Sequence, residues 1–370
     1  MIKEDNIKEE THSQQDPSDN KSFKREHYMN NLNVEQKHSM KDRLLVGVLL
    51  VVVTVPCIVI GNYIFLALAL FAAMIASHEI VKAPQSIENR FHNSVYIFTY
   101  LMMFSMISRI IVKNNLMNYI DSVDKSTWIF DLSTNFFGLK ASLVNIMICF
   151  GFFFVSALFD KNVTISDAFY FVVMITMVAI GFQSILFLRY APFAYSGLLT
   201  ESGKARTYYT APDYFKYGQS ILLVLYMFIG TCMNDVGAYF IGVLFGKHKM
   251  CPRISPKKTW EGFAGGLVIS TVFSFGFALI MDLCDVPLLP GVLDSAHFYN
   301  IIILSLLMPI FSVFGDLLFS QIKRYFHIKD FGTALRSHGG ILDRLDSILI
   351  TSIMMAIMIE FMSHNWNVLQ

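Results

Sequence analysis

The stretch from Gly315 to Asp346 reads GDLLFSQIKRYFHIKDFGTALRSHGGILDRLD, and it mixes residue types that a structural segment has little use for. Asp316 closes one apolar run. Asp343 and Asp346 open the next, three apart, so on a helix they share a face. Carboxylates at membrane depth are costly unless neutralised, and hard divalent cations are common partners of clustered carboxylates. Lys323, Arg324, Lys329 and Arg344 lie among them, with His338 and the pair Gly339-Gly340. Cations and a flexible Gly-Gly turn at a helix start suit phosphate groups. Carboxylates for a metal and bases for phosphate together equip a protein for metal-assisted phosphoryl or nucleotidyl transfer.

A second stretch, Asn234 to Gly266, places Asn234 and Asp235 inside an apolar run, where polar groups mark function by default. Gly237, Gly242 and Gly246 allow close approach of a helix or a ligand. Ser255-Pro256-Lys257-Lys258-Thr259 forms a basic turn suited to nucleotide phosphates or an anionic lipid headgroup. Each feature has a plainer reading. Asp343 and Asp346 also suit a helix N-terminus, Lys323, Arg324, Lys257 and Lys258 also suit positive-inside anchoring, and Asn234 and Asp235 also suit interhelical hydrogen bonds.

The elements that must position these residues are membrane helices. Hydrophobic residues make up 54% of the chain and charged residues 15%, against about 25% charged in soluble domains. Nine apolar spans can be drawn, near 44–60, 63–81, 95–112, 141–159, 165–188, 219–246, 262–281, 299–319 and 345–363. The expected fold is an all-α polytopic membrane protein. Residues 1–43 form a polar tail expected to be disordered and cytosolic, residues 44–190 an N-terminal group of transmembrane helices, and residues 191–370 a catalytic transmembrane domain. The loops at 247–261 and 320–344 are rich in Lys and Arg, whereas 282–298 carries Asp282, Asp285 and Asp294 and no base. That bias puts the two basic loops, and the site, on the tail's side, the cytosol. Asn162-Val163-Thr164, a glycosylation pattern, falls on the same side and is expected to stay unmodified. The five cysteines show no metal or disulfide spacing.

The chain resembles the phosphatidate cytidylyltransferases, or CDP-diacylglycerol synthases. The resemblance rests on Ser320, Ile322, Lys323, Arg324, Lys329, Asp330, Gly332, His338, Gly339, Gly340, Asp343, Arg344 and Asp346, which fall at the family's spacing. Asn234-Asp235 through Ala238-Tyr239 and Ser255–Gly262 look like the eukaryotic branch, whereas Gly315-Asp316-Leu317 looks like the bacterial form. Ser77-His78-Glu79-Ile80 is a weaker match. Arg336-Ser337 stands where the family usually has Pro-Gly. The resemblance implies an enzyme, a homodimer, that makes CDP-diacylglycerol and pyrophosphate from CTP and phosphatidic acid, with no nucleic-acid partner. Asp316, Asp343 and Asp346 would hold Mg²⁺, or Mn²⁺. Lys323, Arg324, Lys329, Asp330, His338 and Arg344 would act on the phosphates. Asn234, Asp235, Ser255, Lys257, Lys258, Ser320, Gly339 and Gly340 would bind substrate. The expected location is the endoplasmic reticulum membrane. The rival readings are a CTP-using lipid kinase, a transporter or channel, and a catalytically dead relative.

Overall fold

The computed structural model describes residues 52–85, 91–114, 135–136, 139–190, 213–289, 291–332, 334 and 339–363. The tail assigned to 1–43 and His338, Arg336 and Ser337 lie outside the described residues. After a helical stretch at 52–60 come eight helices: α1 (Asn62–Lys82), α2 (Asn93–Asn114), α3 (Ala141–Phe159), α4 (Ile165–Tyr190), α5 (Asp213–Phe245), α6 (Trp260–Leu283), α7 (Phe298–Tyr325) and α8 (Leu342–Ser363). Among the described residues six helices are long and apolar enough to cross a membrane, namely Ile64–Gln85, Ile165–Arg189, Ile221–Phe245, Trp260–Leu283, Ser295–Tyr325 and Leu342–Met362. Two shorter apolar helices run over Asn93–Ile107 and Val144–Phe159. The protein is an all-α polytopic membrane protein. Its strands are small: β1 (Asn135–Phe136) pairs antiparallel with β2 (Leu139–Lys140), and β3 (Lys249–Cys251) with β4 (Ser255–Thr259).

Helix α4 joins two groups of helices. It packs on α1, α2 and α3 on one side and on α5 and α8 on the other. Its start is set locally. The Thr164 backbone N–H and hydroxyl both donate to Asp167 Oδ2, at 2.9 and 2.7 Å, and the Asp167 N–H donates back to Thr164 Oγ1 at 3.2 Å. This is a reciprocal capping box, here with Asp in the acidic position.

In the second group α5 packs closely on α6. A Cβ on Gly266 would stand 2.8 Å from the Asn234 carbonyl, and one on Gly237 would stand 3.1 Å from the Gly265 carbonyl. Only small residues allow backbones this near. Helix α7 carries Pro309 in its interior, which cannot donate to the Ser305 carbonyl one turn back. The Thr271 hydroxyl of α6 donates to that carbonyl at 3.2 Å, so a neighbouring helix satisfies the freed acceptor.

Helix α7 runs to Tyr325, six residues beyond the span drawn at 299–319. Ser320, Lys323 and Arg324 therefore sit on a helix and not in the expected loop. The Lys323 carbonyl accepts from the Ile328 N–H at 3.0 Å, and His327, with φ 56, makes the left-handed turn that ends the helix.

The basic loops do meet at one end of the bundle. Arg324 Nε donates to the Ile254 carbonyl at 3.4 Å. Tyr170, near the start of α4, donates to the Ile80 carbonyl at 3.1 Å and stands edge-on to Phe326. The hairpin before α6 and the turn after α7 thus meet at that end, where the end of α1 and the start of α4 also lie.

Candidate active site

Two Lys–carboxylate pairs define the site. The first links the β3–β4 hairpin to α7. Lys258 Nζ lies 2.6 Å from Asp316 Oδ2, and Ser320 donates to Asp316 Oδ1 at 3.3 Å. The four-residue spacing of Asp316 and Ser320 places them one above the other on the helix. Thr259 ends the hairpin and N-caps α6, accepting from the Gly262 N–H at 3.2 Å. Glu261 fastens the start of the hairpin: it accepts from the N–H groups of Lys247 and His248 and lies 2.6 Å from His248 Nδ1. The hairpin, and with it Lys257 and Lys258, is therefore built onto the first turn of α6.

The second pair links the end of α7 to the start of α8. Lys323 Nζ lies 2.9 Å from Asp343 Oδ1, with the two side chains 10% and 3% exposed. Asp343 Oδ2 accepts from the Phe331 N–H at 2.8 Å and from the Gly340 N–H at 2.9 Å. Lys323 also stands 5.7 Å from the centre of the Phe331 ring. The loop reaches this arrangement through Gly339, whose φ of 80 lies in the left-handed region.

Between the helices, the carboxylate of Asp316 lies near enough to those of Asp235 on α5 and Asp346 on α8 for each to feel its charge. Close approach of α7 and α8 makes this so, since a Cβ on Gly315 would stand 2.7 Å from the Asp346 carbonyl. Asp346 is buried and accepts locally from the Ser347 N–H at 2.8 Å. A cavity of about 180 Å³ lies beside Asp316, and its polar lining is Asn234, Asp235, Lys257, Lys258 and Thr259. Asn234 is buried. Its amide nitrogen contacts Ser312 Oγ at 3.3 Å, while its amide oxygen has no hydrogen-bond partner.

The sequence candidates thus divide. Lys258 and Ser320 contact Asp316 directly, Asp235 and Asp346 lie within its field on the neighbouring helices, and Asn234 and Lys257 line the adjoining cavity. Lys323, Asp343, Gly339 and Gly340 form the buried pair and its loop. Arg324 is spent on the carbonyls of Ile254 and Ile328, at 3.4 and 3.2 Å. Lys329, Asp330 and Arg344 are exposed, and Ser255 is half-buried in β4. A residue not among the candidates, Glu79 of α1, reaches this end of the molecule and binds the backbone at Ile341 and Leu342. Its signal in the sequence was the short match at Ser77–Ile80.

Does this donor set suit a divalent cation? The oxygens of Asp235, Asp316 and Asp346 come from three helices and are hard donors, and the unpartnered Asn234 oxygen adds an unsatisfied acceptor nearby. The chemistry therefore fits. Among the described residues no three His, Cys, Asp or Glu side chains already converge on one point, and both Asp343 oxygens are committed elsewhere.

Fold and site together define a multi-pass helical membrane protein with a carboxylate and lysine centre at one end of its bundle. Residues 41–362 match the model of the cytidylyltransferase family, and the chain belongs to that family, a group of nucleotidyltransferases. The phosphatidate cytidylyltransferase of Bacillus subtilis is 40% identical over 134 residues, 36% of this chain and 45% of that protein. That of Staphylococcus haemolyticus is 39% identical over 126 residues, 34% of this chain and 44% of that protein. At that identity the chain spans less than half of each relative. The phosphatidate cytidylyltransferase of Staphylococcus saprophyticus is 26% identical over 310 residues, 84% of this chain and 95% of that protein.

Proposed function

We propose that the protein is a phosphatidate cytidylyltransferase, joining CTP and phosphatidic acid to give CDP-diacylglycerol and pyrophosphate. The observation that carries this reading is the cavity flanked by Lys257, Lys258, Asn234 and Asp235, set against Asp316 at the end of a membrane bundle. There a water-borne triphosphate and a lipid headgroup can meet. The lipid phosphate oxygen is already ionised, so its attack on the α-phosphorus of CTP needs no strong base. A new P–O bond forms to that phosphorus. The bond to the bridging oxygen breaks, and pyrophosphate leaves with the electron pair.

Lys257 and Lys258 bind and orient the triphosphate, and Lys258 can exchange Asp316 for a phosphate oxygen. Lys323 faces the site from the buried pair, and Asp343 holds it there. Asp316 and Asp346, joined by Asp235, would hold Mg²⁺ or Mn²⁺. When bound, such an ion offsets charge on the triphosphate and on the departing pyrophosphate. The cytosolic face is assigned from the Lys and Arg loops. The endoplasmic reticulum finds no support in the relatives named above, which are bacterial, and the homodimer rests on the family resemblance alone. Cross-linking in membranes tests the dimer.

The decisive experiment supplies purified protein with α-³²P CTP, phosphatidic acid and Mg²⁺, with and without EDTA. Label entering the lipid, blocked by EDTA, is the expected outcome. Transfer of the γ-phosphate instead would establish a lipid kinase. Absence of any transfer by folded protein would leave a dead relative or a non-enzyme.

A further inference from the structure

Helix α8 begins at Leu342, and the residue before it, Ile341, has no side-chain acceptor with which to cap the helix. The cap comes from far away in the chain. Glu79, on α1, accepts from the Ile341 N–H through Oε1 at 2.9 Å and from the Leu342 N–H through Oε2 at 2.8 Å. Glu79 is only 2% exposed, so its carboxyl group is held inside the protein. An acidic group at a helix N-terminus is well placed electrostatically.

The surrounding loop is shaped to receive this carboxylate. A Cβ added to Gly332 would stand 2.7 Å from Glu79 Oε1, and one added to Gly340 would stand 2.5 Å from the same atom. Both ends of the 332–340 segment thus close on Glu79. The next residues along are Asp343, paired with Lys323, and Asp346, one turn further and within the field of Asp316. A shift at Ile341 and Leu342 therefore moves both carboxylates relative to α7.

We propose that Glu79 is a positioning residue for the transfer reaction: reaching in from outside the catalytic half of the chain, it fixes the start of α8 and so sets Asp343 and Asp346 against Lys323 and Asp316. It touches no substrate. The proposal rests on the cytidylyltransferase reading above, because its readout is turnover. Misplacement of reacting groups by an ångström costs on the order of 100-fold in rate, so a displaced α8 start should appear in kcat before it appears in binding.

The test uses the full chain, purified in detergent, with CTP and phosphatidic acid. Glu79→Gln keeps the side chain's size but sets an NH₂ against one of the two N–H donors. Its kcat should fall roughly 10- to 100-fold, with KM for CTP changed less than about 3-fold and the unfolding midpoint lowered only modestly, as one unsatisfied buried N–H requires. Gly332→Ala disturbs the same contact from the loop side and should also lower kcat. The double variant should be no worse than the worse single one, since both act through one contact. A purely structural Glu79 would instead lower the midpoint and leave the kcat of folded protein intact. That result, or additive losses in the double variant, overturns the proposal. Failure of wild-type protein to label lipid sinks the functional reading and this proposal together. Wild-type turnover beside an equally active Glu79→Gln sinks the proposal alone.

Discussion

Lys258–Asp316 and Lys323–Asp343 are chemically the same pair, yet their surroundings give them different work. The first is half open, its side chains 25% and 34% exposed. Exposed pairs contribute only about 0–1 kcal/mol and exchange partners readily. Asp316 also lies within the field of two further carboxylates, and a cavity opens beside it. The second pair is nearly sealed, at 10% and 3%. Its carboxylate is engaged by a lysine and two backbone N–H groups, so it ties Phe331 and Gly340 to the helix ends. The open pair is suited to handle ligand and the closed pair to hold geometry.

The strongest test of that contrast removes the closed carboxylate. Asp343→Ala leaves the Lys323 ammonium buried without a partner, and breaking a buried pair costs about 3–5 kcal/mol. Turnover should vanish and the unfolding midpoint should drop sharply. Replacing both partners, Lys323→Met with Asp343→Leu, should recover most of the lost stability and none of the activity. Recovery of activity would show that the pair serves the fold alone. At the open pair, Asp316→Asn should cost turnover on the order of 100- to 1,000-fold while stability moves by less than about 1 kcal/mol. A large loss of stability there would erase the distinction. A smaller effect is expected at Lys258→Met. Turnover should fall about 10-fold and KM for CTP should rise, since a charge-assisted contact to phosphate is lost; an unchanged KM would remove Lys258 from the triphosphate site.

The helices were legible because apolar run length and loop charge carry them directly: the drawn spans from 63–81 to 345–363 each fall on a helix. Lys258, Asp316, Lys323 and Asp343 all stood out as candidates from their residue types and spacing, but not as partners of one another. Four things were hidden for physical reasons. Helix α7 continues past its apolar run as a polar helix, and hydropathy stops where the apolar residues stop. The β3–β4 hairpin is an eleven-residue piece from Lys249 to Thr259 whose shape depends on the Glu261 and Thr259 anchors more than on strand propensity. The division of labour between Asp316 and Asp343 is a matter of burial, and two aspartates in one motif look alike until their neighbours are known. Glu79 was out of reach because its partners lie 262 and 263 residues away.

The smallest effect concerns the scaffold beneath the open pair. Pro309 frees the Ser305 carbonyl within α7, and the Thr271 hydroxyl of α6 takes it up. Thr271→Val preserves the shape and removes the donor, leaving a carbonyl unsatisfied between two helices. A lost interhelical hydrogen bond of this kind should cost about 1 kcal/mol. Ser305 keeps its separate contact with Tyr226, at 2.7 Å between the hydroxyls, so the helix retains a second tie. Turnover should therefore stay within about 2-fold, a barrier change of well under about 1 kcal/mol, while the midpoint falls slightly. A large loss of activity with intact stability would mean that the Pro309 segment of α7 transmits position to Asp316, which lies about two helical turns further along the same helix.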